Sequence, residues 1–160
     1  CASERWSIVL ALSKFGNFTG LTYMMSSPTD VYPNTPTFSF EKSSYTSDYI
    51  SFESVEIQDR NGNPLQTPTP EQKSLSQIYD PDGSIPFLDI GNRYILVGSQ
   101  YSPEYITGLT WNQIAQEMNN PNSKVAKGVD GSANILTSYI CKLTNGKPSD
   151  VCSQSFAKLS

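Results

Sequence analysis

Histidine is absent from all 160 residues. That removes Ser-His-Asp and Cys-His catalysis, together with the commonest metal ligand. Cysteine is scarce, and Cys1, Cys141 and Cys152 cannot complete a four-ligand zinc site by themselves. Long apolar runs are missing. The longest, Ile8 to Leu12, is far too short to span a bilayer. Charged residues make up 16% of the chain, against about 25% in typical soluble domains. Lys and Arg number 11 against 15 Asp and Glu, a net charge of −4. No basic surface is therefore expected for nucleic acid or an anionic membrane. The chemistries left are thiol redox, carboxylate chemistry and plain binding, none of them calling for a metal or cofactor.

What the chain has in their place is uncharged polarity, as in Ser43-Ser44-Tyr45-Thr46-Ser47 and Asn119-Asn120-Pro121-Asn122. A surface with few carboxylates loses little if the medium turns acid, which suits an extracytoplasmic protein. Cys141 and Cys152 lie close together and read as a disulfide, which favours an oxidising compartment. Asn17-Phe18-Thr19 is a glycosylation sequon. The chain opens at Cys1 without an initiator Met, so an upstream segment is expected, and with it a possible membrane tether. Lipid attachment at Cys1 itself fits poorly, because residues 2–6 lead straight into an apolar helix with no flexible tether.

The length suits one domain across residues 1–160. Residues 1–15 read as a helix with Ile8, Leu12 and Phe15 on one face and Gly16 as its stop. Val9, Leu10 and Ala11 are apolar too, so the helix should be buried on most sides. Strands are expected at 21–26, 37–40 and 49–58, the last with a bulge near Glu53-Ser54. Thr69 and Pro70 open a helix through Tyr79. Residues 85–90 and 94–98 form a hairpin on a two-residue Gly91-Asn92 turn. Thr110 and Gln113 mark a capping box. A short helix should end near Gly128, and a separate one should run from Ser132 to Leu143. The order describes an α/β or α+β domain whose sheet is covered by helices.

Several residues could carry chemistry. Cys1 stands at a helix N-terminus, where the dipole and free N–H groups favour a thiolate. A small buried residue is the equally weighted alternative. Glu4 and Arg5 could tune that thiol, although capping and surface roles are the simpler reading. The turn at residues 59–64 resembles a calcium loop, but its glycine is misplaced and its twelfth position is Pro70. Asp80 and Asp82 could be paired carboxylates of a hydrolase, though nothing places them in a cleft. Trp6 and Trp111 read as core aromatics, and Pro86 as a residue of a strand edge.

Residues 1–16 closely resemble the first helix of a thioredoxin-like family known as domain of unknown function 929, described from archaea and actinobacteria. The resemblance continues through Asp30-Val31-Tyr32-Pro33-Asn34-Thr35, Gly83-Ser84-Ile85-Pro86-Phe87 and Thr110-Trp111-Asn112-Gln113-Ile114-Ala115. It takes in Ala126-Lys127-Gly128-Val129-Asp130-Gly131 and the pair Cys141 and Cys152. It implies a thioredoxin-like sandwich, a central mixed sheet flanked by helices, whose first strand would lie upstream of Cys1. The family's helix opens with Cys-Pro-x-Cys. Cys1 matches the second cysteine, and the first would also lie upstream. Cys1 is then the resolving cysteine of a thiol–disulfide oxidoreductase acting on a protein thiol or disulfide partner. Pro86 is implied to be cis, with the backbone of Ile85 pairing an extended substrate. Cys141 and Cys152 match the family's C-terminal pair, which reads as structural. The rival reading is a non-catalytic extracellular binding or surface-assembly protein on the same scaffold.

Overall fold

The computed structural model describes residues 1–158. Its first helix, α1 (Ala2–Leu12), carries apolar side chains around most of its circumference and is accordingly buried on most sides. Ile8, Ala11 and Leu12 enter one apolar cluster with Phe15, Phe40, Leu136 and Ile140. Trp6 enters a second, with Phe38, Ile106, Ile114, Val125 and Val129. Burying each such side chain contributes roughly 1.5–3 kcal/mol, so α1 serves as the shared wall of two cores. Gly16 follows the helix for a reason other than a left-handed stop. A Cβ there would lie 2.2 Å from the Thr46 carbonyl oxygen, so only glycine lets the next strand pass.

Four short strands then fold as one long interrupted hairpin. β1 (Asn17–Thr19) pairs antiparallel with β4 (Ser44–Thr46), and β2 (Thr22–Met25) pairs with β3 (Pro36–Ser39). The register breaks at Gly20, whose φ is +74° and whose missing Cβ makes room for the Lys42 carbonyl. A break of this kind was expected at Glu53-Ser54. It lies here instead, because residues 49–58 form no strand. That segment is held by backbone bonds from Leu65 N–H to Ile57 O and from Gln66 N–H to Glu56 O, folding back at the turn 59–63.

Helix α2 (Pro70–Tyr79) begins with the Thr69 cap and Pro70 at its first position, as the sequence indicates, and none of its residues is buried. β5 (Phe87–Ile90) and β6 (Tyr94–Val97) form the expected hairpin. Its loop has three residues rather than two, because Ile90 pairs with Tyr94 and both Gly91 and Asn92 take positive φ. After a 3-10 turn at Pro103–Tyr105 comes α3 (Trp111–Met118), with the Thr110–Gln113 capping box in place. The two C-terminal helices expected around Gly128 are a single helix, α4 (Lys124–Leu143). Gly128 does not end it. A Cβ there would lie 2.7 Å from the Tyr101 ring, so glycine admits an aromatic neighbour at mid-helix. α5 (Ser149–Cys152) and a 3-10 turn at Ser155–Lys158 complete the described chain.

The architecture is mixed α/β, with α1 packed against both α4 and β3. In place of one central mixed sheet, the described residues form three two-stranded antiparallel sheets. The cause lies at β3. Ser26 N–H donates to Thr35 O, so alternation turns the odd-numbered residues of β3 toward β2 and the even-numbered ones outward. Those outward groups are met by side chains. Trp6 Nε1 donates to Pro36 O at 2.9 Å, Arg5 donates to Phe38 O at 2.7 Å, and Phe40 N–H donates to Glu56 Oε1 at 2.7 Å. A strand edge satisfied this way has little left to offer another strand.

Candidate functional site

Cys1 is the N-cap residue of α1, and its thiol is free and exposed. The buried-cysteine alternative is thereby set aside. The first turn below it is held from two sides. Thr37 Oγ1 donates to Ala2 O at 2.7 Å from the β3 side. From the other, Tyr101 OH donates to Ser3 O at 2.6 Å, and Ser3 Oγ lies 2.9 Å from Ser99 Oγ. Ser99 directly follows Gly98, whose N–H donates to Pro86 O at 2.9 Å. A short bonded path therefore joins the start of α1 to the start of the β5–β6 hairpin.

At that hairpin the Ile85–Pro86 peptide bond is cis, as the resemblance implies, and Lys147–Pro148 is cis as well. Pro86 O accepts from Gly98 N–H, and Ile85 lies just before the β5–β6 pairing, which begins at Phe87. Ile85 is 66% exposed. Its N–H and C=O make no hydrogen bond among the described residues. An exposed thiol at a helix N-terminus thus stands at one end of a bonded path whose other end, Pro86, directly follows the exposed Ile85.

Glu4 and Arg5 do not occupy the surface. Glu4 is fully buried and, among the described residues, has no basic partner within ion-pair distance. Its carboxylate accepts from Ser132 Oγ at 2.6 Å and from Gln100 N–H at 2.9 Å, with Ser99 Oγ at 3.3 Å. It thereby ties α1, α4 and the segment after β6 together. Burial, then the Glu4 charge, pushes the Tyr101 hydroxyl far above the ordinary range, so it remains a donor to Ser3 O. Arg5 faces the other way. Its Nη1 lies 3.4 Å from Glu56 Oε1, and Glu56 Oε2 accepts from Ser39 Oγ at 2.8 Å. Burial lowers the Arg5 pKa, and Glu56 pulls it back up. One signal of Glu4 was present in the sequence, since it stands four residues before Ile8 on the face of Leu12. Glu56 lay in an expected strand and gave none.

The other candidates separate. Asp59 accepts from Asn61 N–H, Asn63 N–H and Asn63 Nδ2, which commits its oxygens to a turn and holds its pKa below the usual carboxylate value. Among the described residues no group of three His, Cys, Asp or Glu could hold a metal ion. Asp80 is buried while Asp82 is exposed, and their turn is closed by Gly83 N–H on Asp80 O. Trp6 is buried and Trp111 half-buried, their ring centroids 5.0 Å apart. Asn17 is exposed on β1. Cys141 and Cys152 form a disulfide with Cα atoms 5.5 Å apart, joining the end of α4 to α5. Among the described residues no helix is long and apolar enough to cross a membrane.

No curated protein and no solved structure matches the chain. A family model described as "Domain of unknown function (DUF929)" matches residues 1–80 and 81–142. That is most of the sequence, and the chain belongs to this family.

Proposed function

We propose that the protein is a thioredoxin-like thiol–disulfide exchange protein working outside the cytoplasm, with Cys1 as the resolving thiol. The observation that carries this reading is the exposed Cys1 thiol at the start of α1, linked through Ser3, Ser99 and Gly98 to Pro86. The helix N-terminus favours the thiolate, the form that attacks sulfur. A partner strand would lie along the unpaired backbone of Ile85. In the reducing direction, the first cysteine of the family signature, N-terminal to Cys1, attacks a partner disulfide and releases one partner thiolate. The Cys1 thiolate then attacks the mixed disulfide. It expels the second partner thiolate and leaves both protein sulfurs joined, so that two electrons pass to the partner. The Cys141–Cys152 disulfide fits an oxidising compartment. A glycan on Asn17 and a tether preceding Cys1 belong to the same reading.

The test uses the full-length protein from its native source. Intact mass before and after reduction and alkylation should find Cys1 disulfide-bonded to an upstream cysteine in the oxidised form. Exchange with oxidised glutathione should stop at a trapped mixed disulfide in Cys1→Ser. An unchanged exchange rate in that variant would overturn the proposal. Exposed apolar side chains, with Tyr23 at 72% and Val31 at 84%, favour the second reading of a non-catalytic binding or assembly protein. A mature chain that begins at Cys1 and carries only the Cys141–Cys152 bond would select it.

A further inference from the structure

A cleft lies apart from the thiol, since Cys1 is not among its lining residues. The turn after β3, residues 52–55 and the entry to α2 enclose an open cleft of about 380 Å3. This falls in the range of small-molecule sites, about 300–1,000 Å3. One side is aromatic. Phe40 is buried and Phe52 half-buried, edge to face at 5.2 Å between centroids. The lining also carries oriented amides. Gln66 Oε1 accepts from Glu56 N–H at 2.6 Å, and its Nε2 donates to no group among the described residues. The Gln72 amide is held at both ends, accepting from Thr69 N–H at 2.9 Å and donating to Glu53 Oε2 at 3.4 Å. Glu53 is in turn steadied at the cleft with one oxygen to spare. The Thr67 hydroxyl lines the cleft without a hydrogen bond of its own among the described residues.

Among the described residues no Lys or Arg lines the cleft. A ligand bearing phosphate or carboxylate would therefore meet Glu41 and Glu53 with nothing to neutralise it. An ammonium or guanidinium offers only donors, which would leave the Gln66 amide hydrogens unpaired. A polyol answers both limits. Each of its hydroxyls donates and accepts, so neighbouring hydroxyls can meet a carboxylate and an amide together, while a ring C–H face packs on an aromatic side chain.

We propose that this cleft binds a neutral mono- or disaccharide, with Glu53, Gln66 and Thr67 as its polar contacts and Phe52 as its apolar wall. The test is a titration of the whole protein followed by amide NMR. The probes are methyl glucoside, methyl mannoside, methyl galactoside and N-acetylglucosamine, with N-acetyl-arginine amide as the cationic comparison. One saccharide should shift the Gln66 and Gln72 side-chain amides at millimolar concentration. Glu53→Ala and Thr67→Val should each weaken it by about tenfold, the loss of one good hydrogen bond. Thr67 is exposed and makes no hydrogen bond among the described residues, so Thr67→Val reports on binding even if Glu53→Ala perturbs the structure. The proposal fails if no saccharide moves those amides, if Thr67→Val leaves the affinity unchanged, or if only the arginine amide binds.

Discussion

Glu4 and Glu56 are both buried, and they are satisfied by different means. Glu4 relies on hydroxyl and backbone donors, whereas Glu56 faces a guanidinium. A buried ion pair is weak evidence of net stabilisation, because desolvating both charges offsets their attraction. Removing one partner is another matter. Glu56→Ala would strand the Arg5 charge and deprive Phe40 N–H and Ser39 Oγ of their acceptor. We expect a loss of about 3–5 kcal/mol in urea unfolding. Arg5→Met added to Glu56→Ala should recover part of it, with a coupling energy of about 0.5–3 kcal/mol between the two positions. Strictly additive losses would mean that the carboxylate matters for the β3 edge and not for Arg5. Either result bears on the fold, because this pair helps close the edge that a further strand would otherwise occupy.

Among the elements, α4 shows how a single residue type can serve two ends. Gly128 and Gly131 sit one turn apart in the same helix, where each forgoes roughly 1 kcal/mol relative to alanine. A Cβ at Gly128 meets the Tyr101 ring at 2.7 Å, while one at Gly131 meets nothing within 4 Å. Gly131→Ala should therefore stabilise the protein by about 0.5–1 kcal/mol. Gly128→Ala should destabilise it by about 1–3 kcal/mol through overpacking. Thermal unfolding of the two variants decides the matter, and equal gains would show that Tyr101 yields freely. This contrast explains why the sequence suggested two helices here. A glycine between apolar residues carries the same letter whether it ends a helix or admits a ring, and the ring comes from 27 residues earlier in the chain. Local signals were legible wherever the cause was local. The Thr69 and Thr110 capping boxes, the α1 stripe and the β5–β6 hairpin all follow from neighbours a few residues apart. The break at Gly20, the irregular path of residues 49–58 and the burial of Glu4 arise from partners distant in sequence. At the candidate site, Cys1 and Pro86 could be named from motifs. The Ser3–Ser99 link between them could not.

At the scale of the whole molecule, the Cys141–Cys152 disulfide bears on stability and on function at once. Cys141 is buried at the end of α4, and the bond closes a short loop that carries α5. In the chain-entropy model a loop of this size contributes roughly 3 kcal/mol, by restricting the unfolded chain. The same two sulfurs could instead relay electrons to Cys1, and the two roles make opposite demands on one variant. Replacing both residues in Cys141→Ala/Cys152→Ala should lower the unfolding free energy by about 3 kcal/mol. If the bond is structural, the folded variant should keep the parent's rate of iodoacetamide alkylation at Cys1 and its rate of exchange with glutathione. Cys1 is positioned by Ser3, Thr37, Ser99 and Tyr101, and the disulfide holds the far end of α4. A stability loss with unchanged Cys1 chemistry therefore assigns the disulfide to the scaffold. Loss of exchange under conditions where the variant remains folded would make the second pair part of the electron path, and Cys1 would then no longer be the last thiol in the sequence of transfers.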